Sequence, residues 1–131
     1  MLKSIRIKNF KNFKDATLDL GPLTILIGSN ASGKSNVRDA FRFLHGIGRG
    51  YTLAEILGEK YESGALQWAG IRGGIREIAY QQAVMTQIEV DLALPEFPHR
   101  MDKVSIQYKL DIEIKYKKSA SYILREKLFP L

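Results

Sequence analysis

Along the first twenty residues apolar and polar positions alternate. Ile5 and Ile7 stand against basic Arg6 and Lys8, which predicts a half-exposed strand over residues 2–8. Asn9 to Lys14 reads as a turn with Phe10 and Phe13 as inward anchors. Ala16, Leu18 and Leu20 alternate with Thr17 and Asp19 as a second strand, and Gly21-Pro22 punctuates it. Leu23-Thr24-Ile25-Leu26-Ile27 is then a continuous apolar run, the pattern of a strand buried on both faces of a parallel sheet. Beyond a Gly-rich stretch, Val37, Ala40, Phe41 and Leu44 fall at i, i+3, i+4 and i+7, one face of a helix. Gly46, Gly48 and Gly50 are expected to end that helix, and Thr52 to cap a short one over Leu53–Leu57.

Residues 58–74 are Gly-rich, with Leu66, Trp68 and Ile71 as isolated apolars, and are expected to form a long loop. Arg76–Gln81 is a candidate strand. Ile88, Val90, Leu92 and Leu94 alternate with more polar neighbours, and Val104 to Tyr116 keep period two for thirteen residues, the strongest strand pattern in the chain. Ser119–Leu128 reads as a last strand. These segments predict an antiparallel meander with one solvated face. The expected fold class is α/β. Residues 1–50 would form a P-loop segment, 51–75 a connection with a short helix, and 76–131 an antiparallel β-lobe of the same domain.

Composition adds bounds. The 131 residues are 45% hydrophobic and 26% charged, ordinary for a folded domain or one lobe of a larger one. No apolar run approaches the ~18 residues a membrane helix needs, and no apolar block follows the basic N-terminus as a signal peptide requires. The absence of cysteine excludes a disulfide scaffold, a thiolate zinc site and a cysteine nucleophile, and fits a reducing cytoplasm. His45 and His99 lie too far apart in sequence to suggest a metal site or a triad. Twenty Lys and Arg against 14 Asp and Glu give +6, with an isoelectric point near 9.6, which suggests a polyanionic partner, with a solvated face on a basic protein as the competing reading. Lys3, Arg6, Lys8, Lys11 and Lys14 all precede the first acid, Asp15.

The chemistry concentrates in Gly28-Ser29-Asn30-Ala31-Ser32-Gly33-Lys34-Ser35, which matches G-x-x-x-x-G-K-[ST], the Walker A pattern. Its glycines permit backbone angles that aim successive N–H groups at phosphates, and a helix N-terminus adds partial positive charge. Lys34 would neutralise the β- and γ-phosphates, and the Ser35 hydroxyl would coordinate Mg²⁺. Asn30, at the loop tip, could donate to the β–γ bridging region. Asn36 and Arg38 either touch the nucleotide or solvate the helix start. A second reading rests on the basic meander, where Tyr108, Tyr116, Tyr122 and the run Lys115-Tyr116-Lys117-Lys118 could contact nucleic acid through charge and stacking. Tyr108 and Tyr116 share a face with Ile112 and Ile114, so a core role is their competing reading.

The basic first strand, the turn Asn9-Phe10-Lys11-Asn12-Phe13, the return strand and the segment Ile25 to Asn36 together resemble the N-terminal half of ABC-type ATPase heads in SMC-like, RecF-like and OLD-like proteins. More narrowly they are similar to bacterial ATPases of the AAA_21-type group. The resemblance is strong over residues 1–46; beyond them it rests on the order of elements. It implies ATP and Mg²⁺ as cofactors, and cofactor contacts from Gly28, Asn30, Ala31, Ser32, Gly33, Lys34, Ser35 and Asn36. It also implies that Lys11 and Asn12 of the aromatic-basic turn approach the nucleotide. Implied partners are a C-terminal ATPase lobe or a second head, with DNA and self-association as further expectations. The implied wider role is DNA repair or anti-phage defence.

No stretch supplies the four apolar residues and Asp of a Walker B motif, and Gly70-Ile71-Arg72-Gly73-Gly74 lacks the serine of the ABC signature. Neither histidine fills the switch position. Phosphoryl transfer needs an acid on Mg²⁺ and a group that orients water. No catalytic residue is therefore assigned, and the chain alone is expected to hydrolyse ATP poorly or not at all. The alternative is a basic nucleic-acid-binding β module with a non-catalytic P-loop.

Overall fold

The computed structural model describes residues 1–29, 33–94, 104–116 and 120–130. Two long strands open the chain, β1 (Leu2–Phe10) and β2 (Phe13–Asp19), joined at Lys11-Asn12. Helix α1 (Lys34–Gly48) and the short α2 (Leu53–Leu57) follow. A small hairpin, β3 (Lys60–Glu62) and β4 (Ala65–Trp68), leads to one helical turn, α3 (Gly74–Glu77). Strands β5 (Met85–Ala93), β6 (Ser105–Tyr116) and β7 (Ala120–Pro130) complete the chain. The main sheet has the order β2-β1-β5-β6-β7, antiparallel throughout, so the first strand of the chain pairs with the first strand of the meander.

Alternation decides which face of this sheet is covered. Ile5 and Ile7 of β1, Ile88 and Val90 of β5, and Leu110 and Ile112 of β6 point to one side. There they form a single core with Ala40 and Phe43 of α1 and Leu53, Ile56 and Leu57 of α2. Asn9, at φ 51, interrupts the alternation, and Phe10 joins the core fully buried. The opposite face is polar and internally paired. Arg6 binds Asp15 through two bonds of 3.0 and 2.8 Å, Lys109 lies 3.3 Å from Glu89, and Lys127 lies 3.5 Å from Asp111. The result is a mixed α/β unit with an antiparallel sheet and one solvated face.

Four expectations are corrected. The run Leu23–Ile27 forms no strand and is open to solvent: Leu23 is 79% exposed, Ile25 69% and Ile27 91%. A doubly buried strand needs a ladder on each side. The described strands are committed to the five-stranded antiparallel sheet or to the separate β3–β4 hairpin, and none pairs with this segment. Second, the most buried face of α1 is Asp39, Ala40, Phe43 and Gly46; of the expected stripe, Ala40 is in the core, Phe41 and Leu44 pack against it partly buried, and Val37 is not among the core residues. Gly46 lies inside the helix, and a Cβ there would sit 2.7 Å from Ile56 Cγ1, so the missing side chain is what lets α2 dock.

Third, residues 58–74 contain the β3–β4 hairpin. Ser63 and Gly64 take φ 51 and 78, the paired positive angles of a tight two-residue turn. Trp68 ends the hairpin buried, its indole N–H donating to the Ile56 carbonyl at 3.1 Å. Fourth, Arg76–Gln81 is no strand. It spans the end of α3, a single bridge from Ala79 to Phe10, and the start of a 3-10 turn. Consecutive Ile78 and Ala79 are both buried, which an alternating strand does not allow. The Thr52 expectation holds: its hydroxyl accepts from Glu55 N–H while the Glu55 carboxylate accepts from Thr52 N–H, a capping box.

Candidate nucleotide site at the start of the first long helix

Gly33 sets the geometry. It caps α1 at φ 87 and ψ 0, a left-handed conformation that glycine adopts without steric cost. A Cβ at this position would lie 3.2 Å from Phe13 Cζ and 3.5 Å from Asn12 Nδ2, so the β1–β2 turn closes directly against the end of the loop. Lys34 and Ser35 are the first two helical residues. Asn36 N–H and Val37 N–H both donate to the Gly33 carbonyl at 3.0 Å. No side chain caps the helix and no acid stands in its first turn, which leaves its positive end uncompensated by a carboxylate. The Lys34 ammonium folds back onto the Ser29 carbonyl at 2.9 Å. Asn30, Ala31 and Ser32 lie outside the described residues, and Gly28 is exposed at the loop's entry.

A polar network braces this end of α1. Asn36 Nδ2 donates to Asn12 Oδ1 at 2.7 Å. One turn further on, Asp39 has only 3% of its side chain exposed. Its carboxylate accepts from Arg72 at 2.9 Å and lies 3.7 Å from the Lys11 ammonium. Lys11 also donates to the Arg72 carbonyl, and Arg72 reaches Asn36 Oδ1 at 3.5 Å. Burial lowers the Lys11 pKa, and the Asp39 charge opposes that shift. Lys11, at φ 55, also donates its backbone N–H to Ile78 at 2.7 Å. Asp39 thus ties the β1–β2 turn and the loop before α3 to the helix that carries Lys34.

The structure therefore gathers Lys11, Asn12, Gly33, Lys34, Ser35 and Asn36 at one place. Sequence reasoning missed Asp39 and Arg72. The readable signal for Asp39 was a lone acid next to Ala40 on the helix, a charge on a buried face that requires a partner. The residues fit a magnesium nucleotide by their chemistry: an ammonium, a hydroxyl and an uncapped helix N-terminus suit phosphate. Among the described residues no group of three His, Cys, Asp or Glu could hold a metal by itself, so Ser35 and the phosphates would share Mg²⁺. The meander's candidates divide. Tyr108 packs against the core, where burial and Glu126 push its phenol pKa up. His99, Lys117 and Lys118 lie outside the described residues, as do the side chains of Lys115, Tyr116 and Tyr122.

A glycine-capped helix leaving a phosphate-loop sequence, backed by an antiparallel sheet, fits the class that the comparisons with known proteins show, the N-terminal part of an SMC- or RecF-like P-loop ATPase. A family model described as AAA ATPase domain matches residues 1–127, and the chain belongs to that family. It is 30% identical over 93 residues to the DNA replication and repair protein RecF of Lactococcus lactis subsp. cremoris, covering 70% of this chain and 24% of that protein. It is 33% identical over 103 residues to the chromosome partition protein Smc of Desulfitobacterium hafniense, covering 66% of this chain and 8% of that protein. The chain thus spans a quarter or less of these relatives. A solved chain from work on ATP-driven dimerization and DNA-stimulated activation of SMC ATPases superposes with a TM-score of 0.51 at 23% identity. That match covers 96% of this chain and 71% of the solved one, and it shows the fold alone.

Proposed function

We propose that this chain is the ATP-binding lobe of an SMC/RecF-type ATPase that hydrolyses ATP only with a second lobe. In this reading residues 28–35 form a Walker A loop. Its backbone, with Lys34, Asn30 and Asn36, holds the phosphates, and Lys11 and Asn12 approach from the adjoining turn. Mg²⁺, held by Ser35 and the phosphates, would supply charge neutralisation at the β- and γ-phosphates. The carboxylate on the metal and the group that orients water come from the second lobe. The wider setting is cytoplasmic, in DNA repair or defence against foreign DNA, with DNA and a second head as partners.

One observation carries the proposal: Gly33, Lys34 and Ser35 stand at an uncapped helix N-terminus, braced by Asn12 and Phe13, directly after an apolar segment with no strand beside it. A second lobe contributing strands would cover Leu23–Ile27 and complete the site together. The competing β-module reading has less support. Arg6, Lys109 and Lys127 on the sheet's outer face are engaged by its own acids.

Calorimetry with Mg-ATP and Mg-GTP, alongside phosphate release, tests the reading. The expected result is Mg-ATP binding that Lys34→Ala abolishes, without phosphate release. Release that depends on Lys34 would place the metal carboxylate and base inside these residues. No binding by a folded sample would leave the loop as scaffold.

A further inference from the structure

A second cationic feature lies on the same helix, away from the phosphate loop. Arg38, Arg42, His45 and Arg49 follow one another at i, i+4, i+7 and i+11, a single stripe along α1 and its cap. At 1.5 Å per residue the stripe is about 16 Å long. The buried residues Asp39, Ala40, Phe43 and Gly46 occupy a different face. Arg38, His45 and Arg49 are exposed.

Arg42, His45 and Arg49 meet aromatic rings, and no ring contacts Arg38 among the described residues. The Arg42 guanidinium sits 4.8 Å over the Trp68 ring, and His45 meets the same ring edge-on at 5.9 Å. Tyr51 packs on Trp68 at 5.5 Å and carries Arg49 over its own ring at 5.6 Å. Among the described residues no carboxylate pairs with Arg38, Arg42 or Arg49. Arg42 Nε is buried without a hydrogen-bond partner. Arg38, Arg42 and His45, with Phe41 and Trp68, line an open cavity of about 670 Å³. The sheet's outer face differs, since there Arg6, Lys109 and Lys127 are paired with carboxylates.

We propose that this stripe is a docking surface for a nucleic-acid phosphate backbone, a proposal that gives a place to the nucleic-acid partner of the function proposed above and rests on that reading. Contact with Trp68 and Tyr51 holds Arg42 and Arg49 in place without neutralising their charge, which leaves that charge available to phosphate oxygens. The length favours a polymer over a small anion, because one phosphate group reaches a single arginine while a strand passes several. A strand running along the stripe presents successive phosphates to its arginines in turn. The contact carries no base recognition, so affinity falls steeply with salt and depends little on sequence.

Trp68 is the only tryptophan of the chain, so its fluorescence reports on the cavity directly. The full chain is titrated with a short duplex and a single-stranded oligonucleotide, and fluorescence anisotropy of the labelled oligonucleotide gives affinity at several salt concentrations. The expected result is a change in Trp68 emission on binding. Arg42→Gln and, separately, the exposed Arg38→Gln weaken binding about tenfold each. Each also lowers the slope of log affinity against log salt by about one. Arg6→Gln on the sheet's outer face removes the same charge and leaves both unchanged. Equal losses in all three variants, or no oligonucleotide binding by the folded chain, overturn the proposal. Inorganic tripolyphosphate that displaces the oligonucleotide and reproduces the Trp68 change overturns it in favour of a small-polyanion site. Mg-ATP calorimetry on Arg42→Gln reads the nucleotide site separately, so failure of the stripe and failure of the nucleotide reading give different results.

Discussion

Strand β6 and the segment Leu23–Ile27 are both rich in aliphatic residues, and they end in opposite places. Leu110 and Ile112 of β6 are fully buried, between pairings to β5 on one side and β7 on the other. Ile25 and Ile27 are exposed and pair with nothing described. The difference lies in the available neighbours. A hairpin partner is brought close by a short connection, whereas a parallel partner must arrive from elsewhere in the fold. Aliphatic content sets what a segment would do beside another strand, and topology decides whether that strand is there. Here the unpaired segment is the one that leads into the phosphate loop.

The comparison can be broken most directly in the core. Ile112→Ala should cost about 3–4 kcal/mol of unfolding free energy, read from the urea midpoint at unchanged m-value. A loss below about 1 kcal/mol would mean that the β6 ladder holds without its apolar face. Next comes the brace where the two regions meet. Asp39→Asn leaves Lys11 without its charge partner and should cost about 2 kcal/mol, less than a fully buried pair because Arg72 is 57% exposed. If stability is unchanged, the Arg72 and Lys11 contacts add nothing net. At the far end of α1, Thr52→Ala removes one side of the α2 capping box and should cost about 1 kcal/mol, seen as a lower thermal midpoint. The smallest effect belongs to the exposed segment. Ile25→Ser with Ile27→Ser should move stability by no more than about 0.5 kcal/mol while reducing self-association in light scattering. A loss as large as that of Ile112→Ala would show that this segment is buried in solution.

The start of α1 was legible because its residues act locally: Gly33 needs only its own backbone freedom, and Lys34 and Ser35 follow it as the first helical residues. The Thr52–Glu55 box was legible for the same reason. Val104 to Tyr116 was legible because a sheet with one wet face writes a period of two. The hairpin at Ser63-Gly64 carried a readable turn signal, but its two strands are too short for alternation to show.

The sequence by itself determined the elements whose causes lie within a few residues: the start of α1, the capping box, and the alternating strands of the meander. Only the tertiary structure decided which face of α1 is buried, because that depends on Ile56 docking where Gly46 has no side chain. The Asp39–Lys11–Arg72 brace joins residues as far as 61 positions apart and follows from β1 pairing with β5, which no local pattern encodes. The exposure of Leu23–Ile27 was likewise a tertiary outcome. Hydrophobicity favours burial everywhere, but backbone N–H and C=O groups must also be paired, and a strand forms only where a second backbone is in place to pair them.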